Sequence, residues 1–278
     1  MAMVSPPDFS VEDNLKLCVT RKVKTRFGTK FLFVQNAMVA DESKYRTIAP
    51  AFCGFVSSNC ESSLAEEVEK LYLNRMVKKN GSGRSSYDKI LVLSPICPYC
   101  LERTSETLDH FLPKVKFKLL AITPLNLIPS CETCNRKKSD GDMLLHDKQF
   151  IHPYFETLFG FKWLGAKVKG AGADRPLVEF FVDQTSVSEP LLATRIEHQF
   201  VKLALGRLYS IQAGVEVNSL RETLQVMHDA SGINGVRREL EELEAQWSGS
   251  SDKVWKAVMF KALAESDWYC SRGFANAS

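Results

Sequence analysis

The sequence predicts an α+β chain, mostly helical, organised around one small metal-stapled centre. Three observations predict it. Two Cys-x-x-Cys pairs, Cys97/Cys100 and Cys131/Cys134, stand roughly thirty residues apart, a spacing that exceeds that of a compact zinc ribbon. Short β-prone runs lie between them, and apolar residues recur at helical spacing on both sides. The 278 residues suffice for one sizeable core or two small ones. Three parts are expected: an N-terminal lobe over 1–86, a central core over 87–156 and a mainly helical region over 157–278.

Bulk properties exclude some classes. No run of roughly twenty apolar residues exists to span a membrane. The opening MAMVSPPDFS lacks the charged start and apolar core of a secretory signal, so a cytoplasmic chain with no membrane partner is expected. In a reducing compartment Cys18, Cys53, Cys60 and Cys270, scattered among apolar residues, read as packing residues. A net charge of +3 is too small to prove a polyanionic partner, so the distribution of charge carries that argument. Arg21, Lys22, Lys24, Arg26 and Lys30 come without an acid among them, partly alternating with Val23 and Phe27 as on an exposed strand. Lys114, Lys116 and Lys118 form a second run, and Arg136, Lys137 and Lys138 a third. A solvated face is the plain reading of each.

In the first lobe TKFLFVQNAMVA is apolar enough for a core strand or a short helix, which periodicity does not separate. Ser63-Leu64-Ala65-Glu66 has the pattern of a capping box, opening a helix with Leu64, Val68, Leu71 and Tyr72 on one face. Asn80-Gly81 ends it, and GSGRSS reads as a flexible link. Ile90 to Pro95 is expected as a strand feeding the first cysteine turn, Thr107 to Leu112 as a second strand and Leu127 to Ser130 as a third, with Asn126 in the loop before it. A helix begins about Glu132. Further on, GAKVKGAGADRP reads as a Gly-rich loop and LVEFFV as a strand. Pro190 opens a helix with Ile196, Phe200 and Leu203 on one face. Ser219-Leu220-Arg221-Glu222 is a second capping-box pattern, Val236, Leu240, Leu243 and Trp247 repeat at helical spacing, and Ser251 leads into a last helix. These stripes read as core.

Zinc takes four soft or borderline ligands in a tetrahedron, and each Cys-x-x-Cys turn places two thiolates on one side of it. Such a closed site is structural, because no position remains for water. Between the pairs, the apolar run from Leu108 to Pro113 carries Asp109 and His110 at its centre, and a buried strand gains nothing from that pair.

The ordered set Cys97/Cys100, Asp109-His110 with Pro113, Asn126-Leu127, and Cys131/Cys134-Asn135 with Lys138 resembles the HNH nucleases of ββα-metal fold, in the variety with a four-cysteine zinc site. The resemblance runs from about Pro95 to Asp140, with a tail at His152-Pro153-Tyr154-Phe155. It implies His110 as general base, Asp109 and Asn135 as ligands of a catalytic divalent metal, and Asn126 as the loop asparagine that orients the strand bearing His110. Many relatives carry a histidine where Asn135 stands, and an oxygen-only pair favours Mg²⁺ or Mn²⁺. His152 is a further candidate ligand, although a lone histidine is more often a hydrogen-bonded structural residue. Beside such a site, the lysines at 114, 116 and 118 and the basic run 136–138 become candidate phosphate contacts.

The leading expectation is therefore a metal-dependent endonuclease acting on DNA, of prokaryotic defence or restriction type. One alternative is a zinc-stabilised nucleic-acid-binding module without catalysis, although a carboxylate beside phosphate is repulsive unless a cation intervenes. Another is a nuclease effector that acts only with an ATPase or sensor partner. Monomer and homodimer both remain open.

Overall fold

The computed structural model describes residues 4–138, 143–158, 160–172, 174–250 and 252–276. They form two compact units, residues 1–158 and 159–278. Mostly helical with small sheets, the chain has the expected class. Among the described residues no helix is long and apolar enough to cross a membrane.

The first unit begins with α1 (Val11–Cys18), α2 (Arg21–Phe27) and α3 (Phe31–Ile48). A capping box between Ser10 and Asp13 starts α1, each satisfying a backbone N–H of the other. The first basic run is helical, not an exposed strand: Val23 and Phe27, both buried, stand four apart, which puts them on one helical face. TKFLFVQNAMVA resolves as the start of α3, whose buried Val34, Ala37, Met38, Asp41, Glu42 and Tyr45 keep helical spacing. Leu32, Phe33 and Val39 are exposed, and these outward apolar residues hid the period.

Helix α4 (Ser62–Leu71) buries Leu64, Val68 and Leu71 as expected, but it starts a residue early. Ser63 already lies inside it, and Glu61 stands at the cap without a side-chain bond, so the capping-box pattern is not used. A π-helical turn, Tyr72–Val77, follows directly. The link expected to be flexible and the strand expected after it are replaced by α5 (Arg84–Leu91). Arg84 and Asp88 pair at helical i,i+4 spacing, 2.7 Å apart, while Tyr87 and Ile90 turn inward. That combination outweighs the glycines before it.

Strands β1 (Thr107–His110) and β2 (Leu127–Ser130) pair antiparallel, with Thr107 opposite Ser130 and His110 opposite Leu127. Helix α6 (Glu132–Lys138) follows at once. The sheet and the N-terminal helices share one apolar core, in which Leu108, Leu119, Ile122 and Leu127 meet Val11, Leu15, Val68 and Ile90.

In the second unit β3 (Leu164–Lys169) and β4 (Leu177–Val182) form an antiparallel hairpin. The presumed Gly-rich loop is thus half strand, and Ala173 of that stretch lies outside the described residues. Helix α7 (Pro190–Leu203) buries Ile196, Phe200 and Leu203, and α8 (Leu205–Trp247) follows. The second capping-box pattern opens no helix. Ser219 lies inside α8 and its hydroxyl donates back to the Glu216 carbonyl, 2.7 Å away, as interior serines do. The break falls instead at Gly232, where φ is 61°. Helix α9 (Trp255–Ala264) and α10 (Asp267–Ser271) complete the unit, and Ser251, proposed to start that helix, lies outside the described residues. Phe180, Tyr209 and Trp255 form its aromatic centre, with the Tyr209 and Trp255 rings stacked 6.5 Å apart.

Gly81 packs against the π-helical turn so closely that a Cβ there would lie 2.1 Å from the Arg75 carbonyl oxygen. Gly81→Ala is therefore expected to lower stability by about 1–3 kcal/mol, the usual cost of overpacking. An unchanged urea midpoint would show that the turn yields freely.

Candidate active site

The first cysteine pair sits in a tight knuckle. Cys97 N–H donates to the Arg103 carbonyl and Leu101 N–H to the Cys97 carbonyl, both at 2.8 Å. The second pair straddles the start of α6, where Cys134 N–H points at Cys131 Sγ, 3.4 Å away. All four cysteines are buried and their sulfurs lie within 4.8 Å of one another. With Zn–S bonds of about 2.3 Å, a tetrahedron needs sulfurs about 3.8 Å apart, so the four residues fit zinc in size and chemistry. Hydrogen bonds from the thiols of Cys100, Cys134 and Cys97 hold the Cys131 thiol far below its ordinary range, favouring the thiolate that a metal binds.

Strand alternation sends neighbouring side chains of β1 to opposite faces. Thr107 and Asp109 face α6, while His110 faces the N-terminal helices. Asp109 is buried; Tyr99 donates its hydroxyl to Oδ2 at 2.8 Å, and Lys138 Nζ lies 3.0 Å from the same oxygen. Lys138 also donates to the His110 carbonyl, 2.8 Å away. Only 1% exposed, it holds the site together from within and does not face solvent as a phosphate contact must. Asn135 approaches β1 one turn earlier on α6, where Nδ2 donates to Thr107 Oγ1 at 3.0 Å. Lys138, and not Asn135, is thus the α6 side chain resting on the Asp109 carboxylate.

His110 is buried, with its ring edge-on to Tyr72 at 4.4 Å between centroids. Its Nε2 lies 2.9 Å from the Ala121 carbonyl oxygen, which can only accept, so Nε2 carries the hydrogen and Nδ1 keeps its lone pair. Burial pushes the imidazole down to about 3, against a bond to Ala121 that raises it. Asn126 clamps the chain two residues beyond His110. Its Oδ1 accepts from Leu112 N–H at 2.7 Å, its Nδ2 donates to the Leu112 carbonyl at 3.0 Å, and the Asn126 backbone carbonyl accepts from Phe111 N–H at 2.8 Å.

The remaining candidates are dispersed. His152 is wholly buried, with Tyr154 N–H on Nδ1 at 3.1 Å and the Tyr45 hydroxyl on Nε2 at 2.9 Å, so both ring nitrogens serve the core. Lys116 and Arg136 are exposed, while Lys137 is half-buried. Lys114 lies over the Tyr72 ring at 5.8 Å, and Lys118 pairs with Glu66 at 3.5 Å. Sequence reasoning missed Tyr99 and Tyr72. Tyr99 had a signal, since it stands between two zinc-type cysteines where a fixed direction is assured.

Residues 97–141 match the family model of the HNH endonucleases. The chain carries an HNH domain. Over 221 residues, 72% of this chain and 72% of its relative, it is 29% identical to Protein ea31 of Escherichia phage lambda. Over 126 residues, 40% of this chain and 48% of its relative, it is 30% identical to Septu protein PtuB of Bacillus thuringiensis. No solved structure matches the chain. The HNH domain spans both cysteine pairs, β1, β2 and α6, so the matched segment and the geometric site coincide.

Two measurements test the site. Elemental analysis is expected to find one zinc per chain, lost in Cys131→Ala together with stability, and a zinc-free folded protein would remove the staple. The second concerns His110. Because its folded value lies below the ordinary 6.5, the unfolded chain binds the extra proton between pH 6.5 and 3. The stability it confers is complete above about pH 6.5 and is lost as pH falls toward 3. Between pH 7 and pH 5 this residue is expected to cost about 2 kcal/mol, read as the difference between wild type and His110→Asn in urea. Identical pH dependence in the two proteins would contradict a ring kept neutral by burial.

Proposed function

We propose that the chain is a metal-dependent endonuclease that hydrolyses phosphodiester bonds in DNA, with His110 as general base. The observation that carries this reading is the Nε2–H bond to the Ala121 carbonyl, which leaves Nδ1 as the basic atom. Nδ1 takes the proton of a water as the water oxygen adds to phosphorus, and the P–O bond to the departing strand end breaks. A base whose proton affinity is lowered by burial is weak by itself. The phosphate anion arriving beside the ring opposes that effect and raises its affinity in the complex.

Asp109 and Asn135 are proposed as ligands of a divalent cation, and the donor set fits. Asp109 Oδ1 and Asn135 Oδ1 make no hydrogen bond among the described residues, and two such oxygens suit Mg²⁺ or Mn²⁺. Bound there, the cation would polarise the scissile phosphate and stabilise the leaving oxygen. Tyr99 and Lys138 hold the Asp109 carboxylate in one orientation, and Asn126 fixes the chain that follows His110. Lys116 and Arg136, both exposed, are proposed phosphate contacts, with Lys114 above Tyr72.

The similarity to Septu protein PtuB supports a second layer of the reading: a role in prokaryotic defence, with an ATPase or sensor as partner. Under it the isolated chain cleaves slowly and gains rate when the partner is added.

The direct test is plasmid cleavage with Mg²⁺ or Mn²⁺. His110→Ala is expected to lower the rate by roughly 100-fold to 10,000-fold while duplex binding persists. Since the sequence holds a single Asp-His-Asn set, open circle should precede linear product. Near-normal turnover in the variant would move the base to another residue.

A further inference from the structure

On the first unit, between α2 and the π-helical turn, lies a cavity of about 260 Å³ lined by Val23, Arg26, Glu67, Lys70, Leu71, Asn74, Arg75 and Lys78. Buried Val23 and Leu71 are its apolar wall. Four cations face it against a single acid, and that acid is already engaged. Glu67 accepts from Lys70 Nζ at 2.9 Å and from Arg26 Nη1 at 3.3 Å, so it fixes two of the cations in position. These bonds, Lys70 first, hold the Glu67 carboxyl below its ordinary value. Arg75 and Lys78 make no ion pair among the described residues. Like charges gathered at one concave spot repel unless an anion joins them.

The backbone around the cavity is specialised. Asn74 and Arg75 belong to the π-helical turn, a widened helix form that is frequent at functional sites. Its end is tied by Gly83 N–H donating to the Arg75 carbonyl at 3.0 Å and by the close approach of Gly81. The same turn connects the cavity to the HNH domain. Leu71 lines the cavity, and the next residue, Tyr72, presents its ring to His110 and donates its hydroxyl to the Leu108 carbonyl at 3.0 Å.

We propose that this cavity is a phosphate-recognition site that grips the backbone of a polynucleotide on one flank of the bond presented to His110. The proposal rests on the nuclease reading for where that bond sits. No aromatic residue lines the cavity, so it offers phosphate contacts and no face on which a base could stack. That favours a backbone over a free nucleotide and predicts affinity without sequence preference.

The test measures binding by the full chain in the His110→Ala background, so that the duplex stays intact, across a salt series. Arg75→Gln with Lys78→Gln is expected to raise Kd roughly tenfold at 0.15 M salt and to flatten the log K against log salt slope by roughly 0.9 per lost contact. Parental Kd and slope in the double variant would overturn the proposal. ATP and inorganic pyrophosphate are run as competitors. Loss of ATP binding with duplex binding unchanged would overturn it in favour of a free nucleotide. Cleavage is read separately. Wild type that binds in this manner but never cuts sinks the nuclease reading and leaves the grip standing, whereas cutting by wild type with no change in the variant's binding sinks the grip alone.

Discussion

Everything chemical in the first unit depends on four sulfur atoms drawn together. A two-stranded sheet of four-residue strands has too little surface to persist by itself, and a seven-residue helix is far below the length that is stable alone. The cluster joins the knuckle before β1 to the start of α6, closing a loop that contains both strands. It does more than close the loop. Tyr99 lies between its two cysteines and reaches the carboxylate of Asp109, so the fixed direction of the knuckle becomes the fixed direction of an acid.

From that anchor the two faces of β1 diverge in character. Toward α6 the surroundings are ionic, with Asp109 and Lys138 compensating each other in a place from which water is largely excluded. Buried charges persist only when paired and bonded in this way. Toward the N-terminal helices the surroundings are neutral and aromatic, and an imidazole there stays uncharged. Adjacent residues of one strand are thus held in opposite electrostatic states by what packs on each side.

Much of this was legible in the sequence where local chemistry is decisive. The cysteine pairs, the Asp-His dipeptide and the proline and asparagine around them placed β1, β2 and α6 within a residue or two. Legibility failed where tertiary packing overrode composition. Glycines and serines before Arg84 suggested a link, yet an ion pair and two inward side chains make a helix. Exposed Leu32 and Phe33 blurred the period of α3. Serines followed three residues on by glutamate suggested helix starts at 63 and 219, but a capping box requires a non-helical backbone that neither position has. In the sequence Lys138 is one more member of a basic run, since sequence does not tell which of three consecutive cations turns inward.

That inward lysine has a mechanical consequence. Helix α6 is held near its beginning by Cys134 in the sulfur cluster and at its last residue by the bonds of Lys138 to β1. A rod held at one point can still spin about its own axis; a rod keyed at both ends cannot. Asn135, between the two keys, therefore has its azimuth set by the time the chain is folded, and its side chain no longer has to search for its bearing.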